Sequence, residues 1–318
     1  MTRSLAAAFA ILAFLAVLPA ARAADAVVLE ETSFEGFPVL GAYPKDPVGL
    51  VFLFHGSGGS ADFARRDETQ AVLSTLVGAG YAVVSTSSTQ RSNPKRWRLD
   101  TLDPGANEDL GRIGRLYASL LSEGRAGAAT PVFAMGMSNG GGFTVLFGRA
   151  AQEMGLPIRA IADYEGPIVR PVVEAIEAGK AMVPIFLVLA ENDPLVNPKT
   201  QLAIAQALVE RGLTLEIHIA RERPVAVADF AAIPEVSEAQ AREIFDTLVK
   251  RGVIDKDGKR RMELAAGREG LAAVDAATKG LPKDTDVRDA LLLAFASHKM
   301  RPDYAEAQLA FFERYRGN

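Results

Sequence analysis

Short apolar runs that alternate with amphipathic segments limit this chain to few folds. The runs 48–54 and 185–190 contain no polar side chain. A strand has this composition when helices cover both faces of its sheet. Between such runs, apolar residues recur at helical spacing, as in the segment that Asn107 is placed to cap. The alternation predicts an α/β fold with a doubly wound, mostly parallel sheet. Further strands are predicted at 81–85, 131–135, 158–163 and 213–220.

One block of the chain interrupts this alternation. Residues 223–297 contain helical signals and no convincing series of strands. Ser237 and Gln240 have the spacing of a capping box at the start of a helix. Residues 255–258 indicate a tight turn, because a calcium-binding loop would need further ligands and a closing glutamate. The block is therefore predicted to be a helical insertion before the last helix. It is either a lid over the site or ordinary packing at the edge of the domain.

The first residues of the chain predict the cellular compartment of the protein. Arg3 gives a basic start, an uncharged apolar stretch follows at 5–18, and residues 21–23 (Ala-Arg-Ala) resemble a signal peptidase site. A membrane anchor is the alternative, but the stretch is shorter than the roughly 20 residues that span a bilayer. We expect cleavage near Ala23 and Ala24, export to a periplasm or the medium, and no stable membrane insertion after processing.

The length and net charge of the chain limit the classes of function that it can have. Cleavage would leave 295 of the 318 residues, and the net charge would move from −4 to −6 because the removed segment carries two arginines and no acid. A mildly acidic chain without a basic cluster is a poor binder of nucleic acids. The chain has no cysteine, so it has no disulfide framework. No metal or organic cofactor is implied, and the oligomeric state is not indicated. We divide the chain into a signal peptide at 1–23, an α/β core at 24–222, a helical insertion at 223–297 and a return to the core at 298–318.

A five-residue motif marks the candidate nucleophile. Residues 136–140 read Gly-Met-Ser-Asn-Gly and lie between a predicted strand and a predicted helix. A serine on such a sharp turn projects its hydroxyl from the sheet, and a glycine two residues away on each side avoids a collision with the neighbouring strand and helix. The motif predicts that Ser138 is a nucleophile. A merely structural serine is the alternative.

A nucleophilic serine needs hydrogen-bond donors for the oxyanion that forms on the attacked carbonyl. One donor is expected to be the backbone N–H of Asn139, at the positive end of the following helix. The second is expected from residues 55–59 (His-Gly-Ser-Gly-Gly), which follow the first long strand. We favour Ser57 over Gly56 as this donor, and we interpret His55 as a residue that shapes the loop.

The acid and the base of a triad are chosen by position. Asp193 lies in the polar turn after the most apolar run and is the candidate to orient a histidine, with Glu191 as a weaker alternative. His218 lies in the middle of a predicted strand, away from the edge of the sheet. His298 precedes the final helix, in a loop that can bring a base to Ser138, and we favour it. The resulting chain order of nucleophile, acid and base is that of α/β-hydrolases.

These residues carry a resemblance to a known group. Residues 55–59, residues 137–141 (Met-Ser-Asn-Gly-Gly) and Trp97 resemble the exported esterases that include polyhydroxybutyrate depolymerases and feruloyl esterases, close to the dienelactone-hydrolase branch. The resemblance covers about 48–200 and implies the α/β-hydrolase fold. Dienelactone hydrolases proper carry a cysteine nucleophile, and this chain has no cysteine.

The predicted function is hydrolysis of carboxylic esters, small or polymeric, through a Ser-His-Asp triad and an acyl-enzyme intermediate. A peptidase or amidase with the same triad is the alternative, and a binding module without activity is a third. Trp97 lies in a basic loop. Its ring either stacks on an aromatic or polymeric substrate or packs onto the domain.

Overall fold

A computed structural model describes residues 26–317, so the predicted signal peptide lies outside the described residues. In the described part, eight strands form one sheet. The strands are β1 (Glu30–Phe34), β2 (Phe37–Ala42), β3 (Gly49–Phe54), β4 (Tyr81–Thr86), β5 (Val132–Met137), β6 (Ile158–Tyr164), β7 (Ile185–Ala190) and β8 (Leu215–Ala220). Their order across the sheet is β1-β2-β4-β3-β5-β6-β7-β8.

The pairing of the strands confirms the predicted fold class. β3 pairs in parallel with β4 and with β5, and the parallel pairing continues through β6 and β7 to β8. β1 and β2 form an antiparallel hairpin that joins the sheet at β4. This hairpin was not predicted from the sequence. The carboxyl ends of the parallel strands share one edge of the sheet, where the candidate site residues are found.

Helices cover both faces of the sheet. They are α1 (Asp67–Gly78), α2 (Glu108–Ser122), α3 (Asn139–Glu153), α4 (Arg170–Glu177), α5 (Pro198–Val209), α6 (Val227–Ala231), α7 (Glu238–Lys250), α8 (Arg268–Thr278), α9 (Asp284–Ala294) and α10 (Ala305–Arg316). Asn107 caps α2 as predicted, since its side-chain oxygen accepts from the N–H of Leu110. None of the helices in residues 26–317 has the length and apolar character needed to cross a bilayer.

The side chains of β3 show why its sequence is apolar throughout. Leu50, Phe52 and Phe54 enter a core shared with helices α2 to α5, and Val51 and Leu53 enter a core shared with α1 and α10. All five are fully buried. Burying such a side chain contributes about 1.5–3 kcal/mol, so a polar residue at any of these positions would be costly.

The block 223–297 is helical and has a core of its own. Helices α6 to α9 pack around a separate set of buried apolar side chains. The two ends of the block meet at Asn192. Its backbone N–H donates to the carbonyl of Ala296 at 2.9 Å, and its side-chain amide donates to the carbonyl of Phe295 at 2.9 Å and to the carboxylate of Glu222 at 2.7 Å. The insertion therefore leaves and rejoins the α/β core at a single point.

Two local predictions within the block are confirmed. Ser237 accepts from the N–H of Gln240 at 3.3 Å, and its own N–H donates to the side chain of Gln240 at 2.9 Å, which completes the capping box of α7. A carboxylate oxygen of Asp255 accepts from the N–H groups of Asp257 and Lys259, at 3.0 and 2.9 Å, in a tight turn.

Candidate active site

Ser138 lies at the junction of β5 and α3. Its backbone has φ 60° and ψ −124°, a conformation that L-residues rarely adopt. Hydrogen bonds on both sides hold it there. Its N–H donates to the carbonyl of Tyr164 and its carbonyl accepts from the N–H of Gly142, each at 2.9 Å. The strained turn expected from the motif is present, at the carboxyl edge of the sheet.

The flanking glycines allow the strand and the helix to approach this closely. A Cβ on Gly136 would lie 2.4 Å from the carbonyl oxygen of Gly140, and a Cβ on Gly140 would lie 2.2 Å from the carbonyl oxygen of Phe54. Any other residue at either position would force the backbone apart.

His55 shapes the loop that follows β3. Its Nδ1 lies 2.7 Å from the carbonyl oxygen of Gly56, and its Nε2 accepts from the N–H of Ser88 at 3.1 Å. These partners fix the neutral tautomer that carries its proton on Nδ1. Burial lowers the pKa of His55 to about 4, against the opposing hydrogen bond to Gly56. A neutral, fully buried imidazole supports the loop and does not act as the base.

The two expected oxyanion donors lie beside the nucleophile. Ser57 and Asn139 line the same cavity as Ser138. Gly56 also lies close, since a Cβ placed on it would be 3.4 Å from the Cβ of Ser138. Both Ser57 and Gly56 therefore remain candidates for the second donor. The side chain of Asn139 holds the neighbouring loop, because it accepts from the N–H of Trp97 at 2.7 Å and donates to its carbonyl at 3.2 Å.

Trp97 lies inside the core, which corrects its interpretation as a substrate-binding residue. Only 2% of its surface is exposed. The ring stacks on Phe143 at 4.6 Å and meets the ring of Phe54 edge-on at 5.0 Å between centroids. The indole N–H donates to the carbonyl of His55 at 2.9 Å. Through this hydrogen bond the indole supports residues 55–59, the oxyanion loop. No face of the buried ring is left to stack on a substrate.

The structure brings Asp193 and His298 together. Nδ1 of His298 lies 2.7 Å from Oδ2 of Asp193, and both side chains are buried. The other carboxylate oxygen of Asp193 accepts from the N–H groups of Leu195 and Val196, at 2.7 and 2.9 Å, and is thereby held in orientation. Burial acts to lower the pKa of His298, but the hydrogen bond and the charge of Asp193, aided by Glu165, outweigh it and raise that pKa.

Glu165 is a third member of this cluster, and the sequence analysis missed it. It directly follows β6, at the carboxyl edge, and that position was the available signal. Its carboxylate is fully buried and lies 3.6 Å from Nδ1 of His298. Burial raises the pKa of Glu165 to about 7, against the charges of Arg301 and His298. Glu165, Asp193 and His298 offer ligand atoms within 4.8 Å of one another. However, the guanidinium of Arg301 already lies against the Glu165 carboxylate at 3.2 Å, where it would repel a metal ion.

The weaker candidates lie elsewhere. Glu191 pairs with Arg221 at 2.9 Å on the surface. His218 projects from β8, as alternation along that strand predicts, and its Nε2 lies 2.8 Å from the carboxylate of Glu216. Neither residue lines the cavity that contains Ser138.

A cavity of about 950 Å³ connects the candidate residues. Ser57, Ser138 and His298 line it from the α/β core, and Arg268 and Leu271 of α8 line it from the insertion. The insertion thus forms one wall of the cavity. The arrangement places a hydroxyl, an imidazole paired to a carboxylate, and backbone donors around one space.

A comparison with protein families identifies the chain's relatives. The model of the dienelactone hydrolase family matches residues 37–243. The chain belongs to the dienelactone hydrolase family. The resemblance to the dienelactone-hydrolase branch is thereby confirmed. This member of the family has Ser138 at the elbow and no cysteine anywhere in its sequence.

Solved structures show partial similarity. An esterase of Pyrobaculum calidifontis is 16% identical, with 60% of this chain and 75% of that chain covered and a TM-score of 0.47. A carboxylesterase of Bacillus cereus is 16% identical, with 58% and 85% covered and a TM-score of 0.41. Fungal esterases of Rhizomucor miehei give 15% identity, 60% and 73% coverage and a TM-score of 0.42. None of the curated proteins compared with the chain matches it.

Family and fold together define the class of enzyme. The sheet has the order and the crossovers of an α/β-hydrolase, and the family match spans the strands that carry the nucleophile and the acid. This dienelactone hydrolase family protein is a hydrolase of carboxylic esters.

Proposed function

We propose that the protein is an exported serine hydrolase that cleaves carboxylic esters through Ser138, His298 and Asp193, with an acyl-enzyme intermediate. The observation that carries this proposal is the buried pair of His298 and Asp193, at 2.7 Å, whose imidazole lines the cavity that contains Ser138. A base oriented by a carboxylate next to a serine on a strained turn is the arrangement that activates a hydroxyl for acyl transfer.

The first half of the reaction acylates the serine. Oγ of Ser138 attacks the carbonyl carbon of the ester while Nε2 of His298 takes the hydroxyl proton. Asp193 holds Nδ1–H and stabilises the imidazolium that results. The tetrahedral intermediate collapses when the bond to the alcohol oxygen breaks, and His298 gives its proton to that oxygen. The alcohol leaves, and the acyl group stays on Ser138.

The second half repeats these steps with water. His298 takes a proton from a water molecule, the water oxygen bonds to the acyl carbon, and the bond to Ser138 breaks with return of the proton to Oγ. In both halves the negative charge on the former carbonyl oxygen is stabilised by the backbone N–H groups of Asn139 and Ser57. Removing one such donor typically costs about 10²–10³ in kcat.

Hydrolysis of p-nitrophenyl esters of increasing acyl length tests this proposal. We expect turnover of the short esters and a loss of roughly 10⁴–10⁶-fold in kcat for Ser138→Ala. Ser122→Ala, at the exposed end of α2, is the matched control and should retain full activity. A fluorophosphonate should label the wild-type protein at Ser138 and leave Ser138→Ala unlabelled. No turnover with any ester, or cleavage of peptides in preference to esters, would contradict the proposal.

Export rests on the sequence of residues 1–23. Sequencing of the mature amino terminus, after expression of the full chain in a bacterium, is expected to begin at Ala24 in the periplasmic or culture fraction. A full-length chain in the cytoplasmic or membrane fraction would refute this part of the proposal.

A further inference from the structure

The proposed triad makes no use of Glu165, although this carboxylate lies beside the base. It is 0% exposed, and its Oε2 lies 3.6 Å from Nδ1 of His298. Two buried carboxylates therefore face one imidazole nitrogen, and only Asp193 has a direct hydrogen bond to it.

We propose that Glu165 is a second positioning residue for His298, one that fixes the loop carrying the base and supplies the charge that balances the imidazolium. The inference rests on the proposed function, because it assigns His298 the role of the base.

The contacts of Glu165 fix the loop after His298. Its Oε2 accepts from the N–H of Lys299 at 2.7 Å, and its Oε1 accepts from Nε of Arg301 at 3.2 Å. Arg301 continues the connection, because it donates to the carbonyl of Ser297 at 2.9 Å and to the carbonyl of Leu293 at 2.7 Å. The backbone is thereby held on both sides of His298.

The side chain of Lys299 gives the same loop a second anchor. Its Nζ lies 2.8 Å from the carboxylate of Glu68 on α1 and also pairs with Asp289 on α9. The ammonium group of Lys299 is therefore paired with Glu68 and Asp289. The Glu165 carboxylate instead accepts from the backbone N–H of Lys299 and from Arg301.

Above the raised pKa of Glu165, the charges of Glu165, Asp193 and Arg301 are balanced only when His298 is protonated. Arg301 is 2% exposed, and the carboxylate that pairs with it is that of Glu165. With Glu165 and Asp193 both ionised, one guanidinium leaves a net charge of −1, and the proton on His298 brings it to zero. A buried cluster is most stable when its charges are compensated. The step in which His298 takes the proton of Ser138 therefore removes a charge imbalance that Glu165 helps to create.

The backbone of Glu165 is held in an uncommon conformation. Its φ is 53°, a value that favours glycine or asparagine, and its N–H donates to the carbonyl of Val188 at 2.8 Å. A strained backbone at a buried charge is typical of a functional site, because the surrounding structure must hold it there.

The test compares Glu165→Gln with the wild-type protein by titration of the His298 imidazole. The substitution keeps an acceptor for the N–H of Lys299 and removes the charge. The protein has three histidines, so NMR can follow each ring. We expect the pKa of His298 to fall by roughly one unit, within the range that a nearby opposite charge produces, because Arg301 cancels part of the effect. The acid limb of the kcat/KM profile should move to lower pH by the same amount, and kcat should fall about tenfold at neutral pH.

Asp163→Asn is the matched control. Asp163 is equally buried and lies two residues away, but its carboxylate accepts from the N–H of Gly166 and not from the His298 loop. Burial raises the pKa of Asp163 to about 7, so asparagine resembles the protonated form it adopts below that pH. The ionisable groups that act on the Glu165 carboxylate or on the His298 imidazole are Asp163, Asp193, Arg301 and Tyr304. We expect the pKa of His298 to be the same in Asp163→Asn as in the wild-type protein.

Each outcome decides the inference. A His298 pKa that is unchanged in folded Glu165→Gln would overturn it. If Glu165→Gln does not fold, Asp193→Asn provides the second measurement. With Glu165 as the remaining carboxylate, the pKa of His298 should stay well above that of His55, which burial lowers to about 4, whereas a fall to that level would overturn the inference. Failure of the proposed function is recognised separately, by wild-type protein that a fluorophosphonate does not label at Ser138.

Discussion

Replacement of Arg301 by methionine tests the buried ion pair at the base of the site. Methionine keeps an apolar stem but is shorter and uncharged, so the change removes the guanidinium together with its hydrogen bonds to the carbonyls of Leu293 and Ser297. It leaves the carboxylate of Glu165, 0% exposed, without its cation. Breaking a buried pair in this way costs about 3–5 kcal/mol. At about 2–4 °C per kcal/mol for a domain of this size, the melting temperature should fall by roughly 6–20 °C.

The pH dependence of this loss has a defined sign. Without Arg301, the pKa of Glu165 in the folded protein lies still further above its value in the unfolded chain. The folded protein then holds a proton at pH 5.5 that it must release at pH 8.5, so its free energy of unfolding falls as pH rises across that interval. Arg301→Met should therefore be more destabilising, relative to wild type, at pH 8.5 than at pH 5.5.

Urea denaturation at both pH values measures these effects. In the double variant Arg301→Met/Glu165→Gln neither member of this pair carries a charge, so the second change should recover about 1–3 kcal/mol of the loss. If the two single losses simply add in the double variant, and if the destabilisation is the same at pH 5.5 and 8.5, the reasoning about the pair is refuted.

Three further predictions follow from the packing around Ser138. Gly140→Ala should prevent folding to the active form, since its Cβ would lie 2.2 Å from the carbonyl oxygen of Phe54. Activity and circular dichroism measure this effect, and an active, stable variant would contradict the close approach. Trp97→Phe should lower the free energy of unfolding by about 1–3 kcal/mol, because the carbonyl of His55 loses its donor. KM for short esters should stay within about twofold of the wild-type value, and a large rise in KM without a loss of stability would instead indicate that the ring stacks on the substrate. Arg268→Glu, in the cavity wall contributed by α8, should raise KM for esters that carry a carboxylate by roughly threefold to tenfold, with a smaller effect in high salt. An equal rise in KM for neutral esters would show that the charge of Arg268 has no part in binding.

The parallel strands could be predicted because their sequences have few alternatives. β7 was predicted at its observed bounds, since an apolar run of six residues between polar turns suits a strand buried on both faces. The hairpin of β1 and β2 gave no such signal. β1 is exposed along most of its length, and β2 contains Pro38 and Gly41, which are uncommon in strands. Its pairing depends on the neighbouring β4, which a local pattern does not reveal.

The site was partly predictable for similar reasons. Ser138 has a motif, and Asp193 and His298 could be chosen from their positions in the chain order. Glu165 has no motif, and its importance depends on which residues the loop 297–301 brings against it. The environment of Trp97 depends on Phe143 and on the oxyanion loop. An isolated aromatic residue in a basic loop is compatible with either a surface or a core position.

The meeting of both ends of the insertion at Asn192 has an evolutionary consequence. A block of chain that begins and ends at one point can be lengthened, shortened or replaced without a change in the order of the strands. The same block supplies a wall of the cavity through α8. A lineage can therefore reshape this wall by exchanging a module of 75 residues, while the order of the strands that positions Ser138 and Asp193 stays the same.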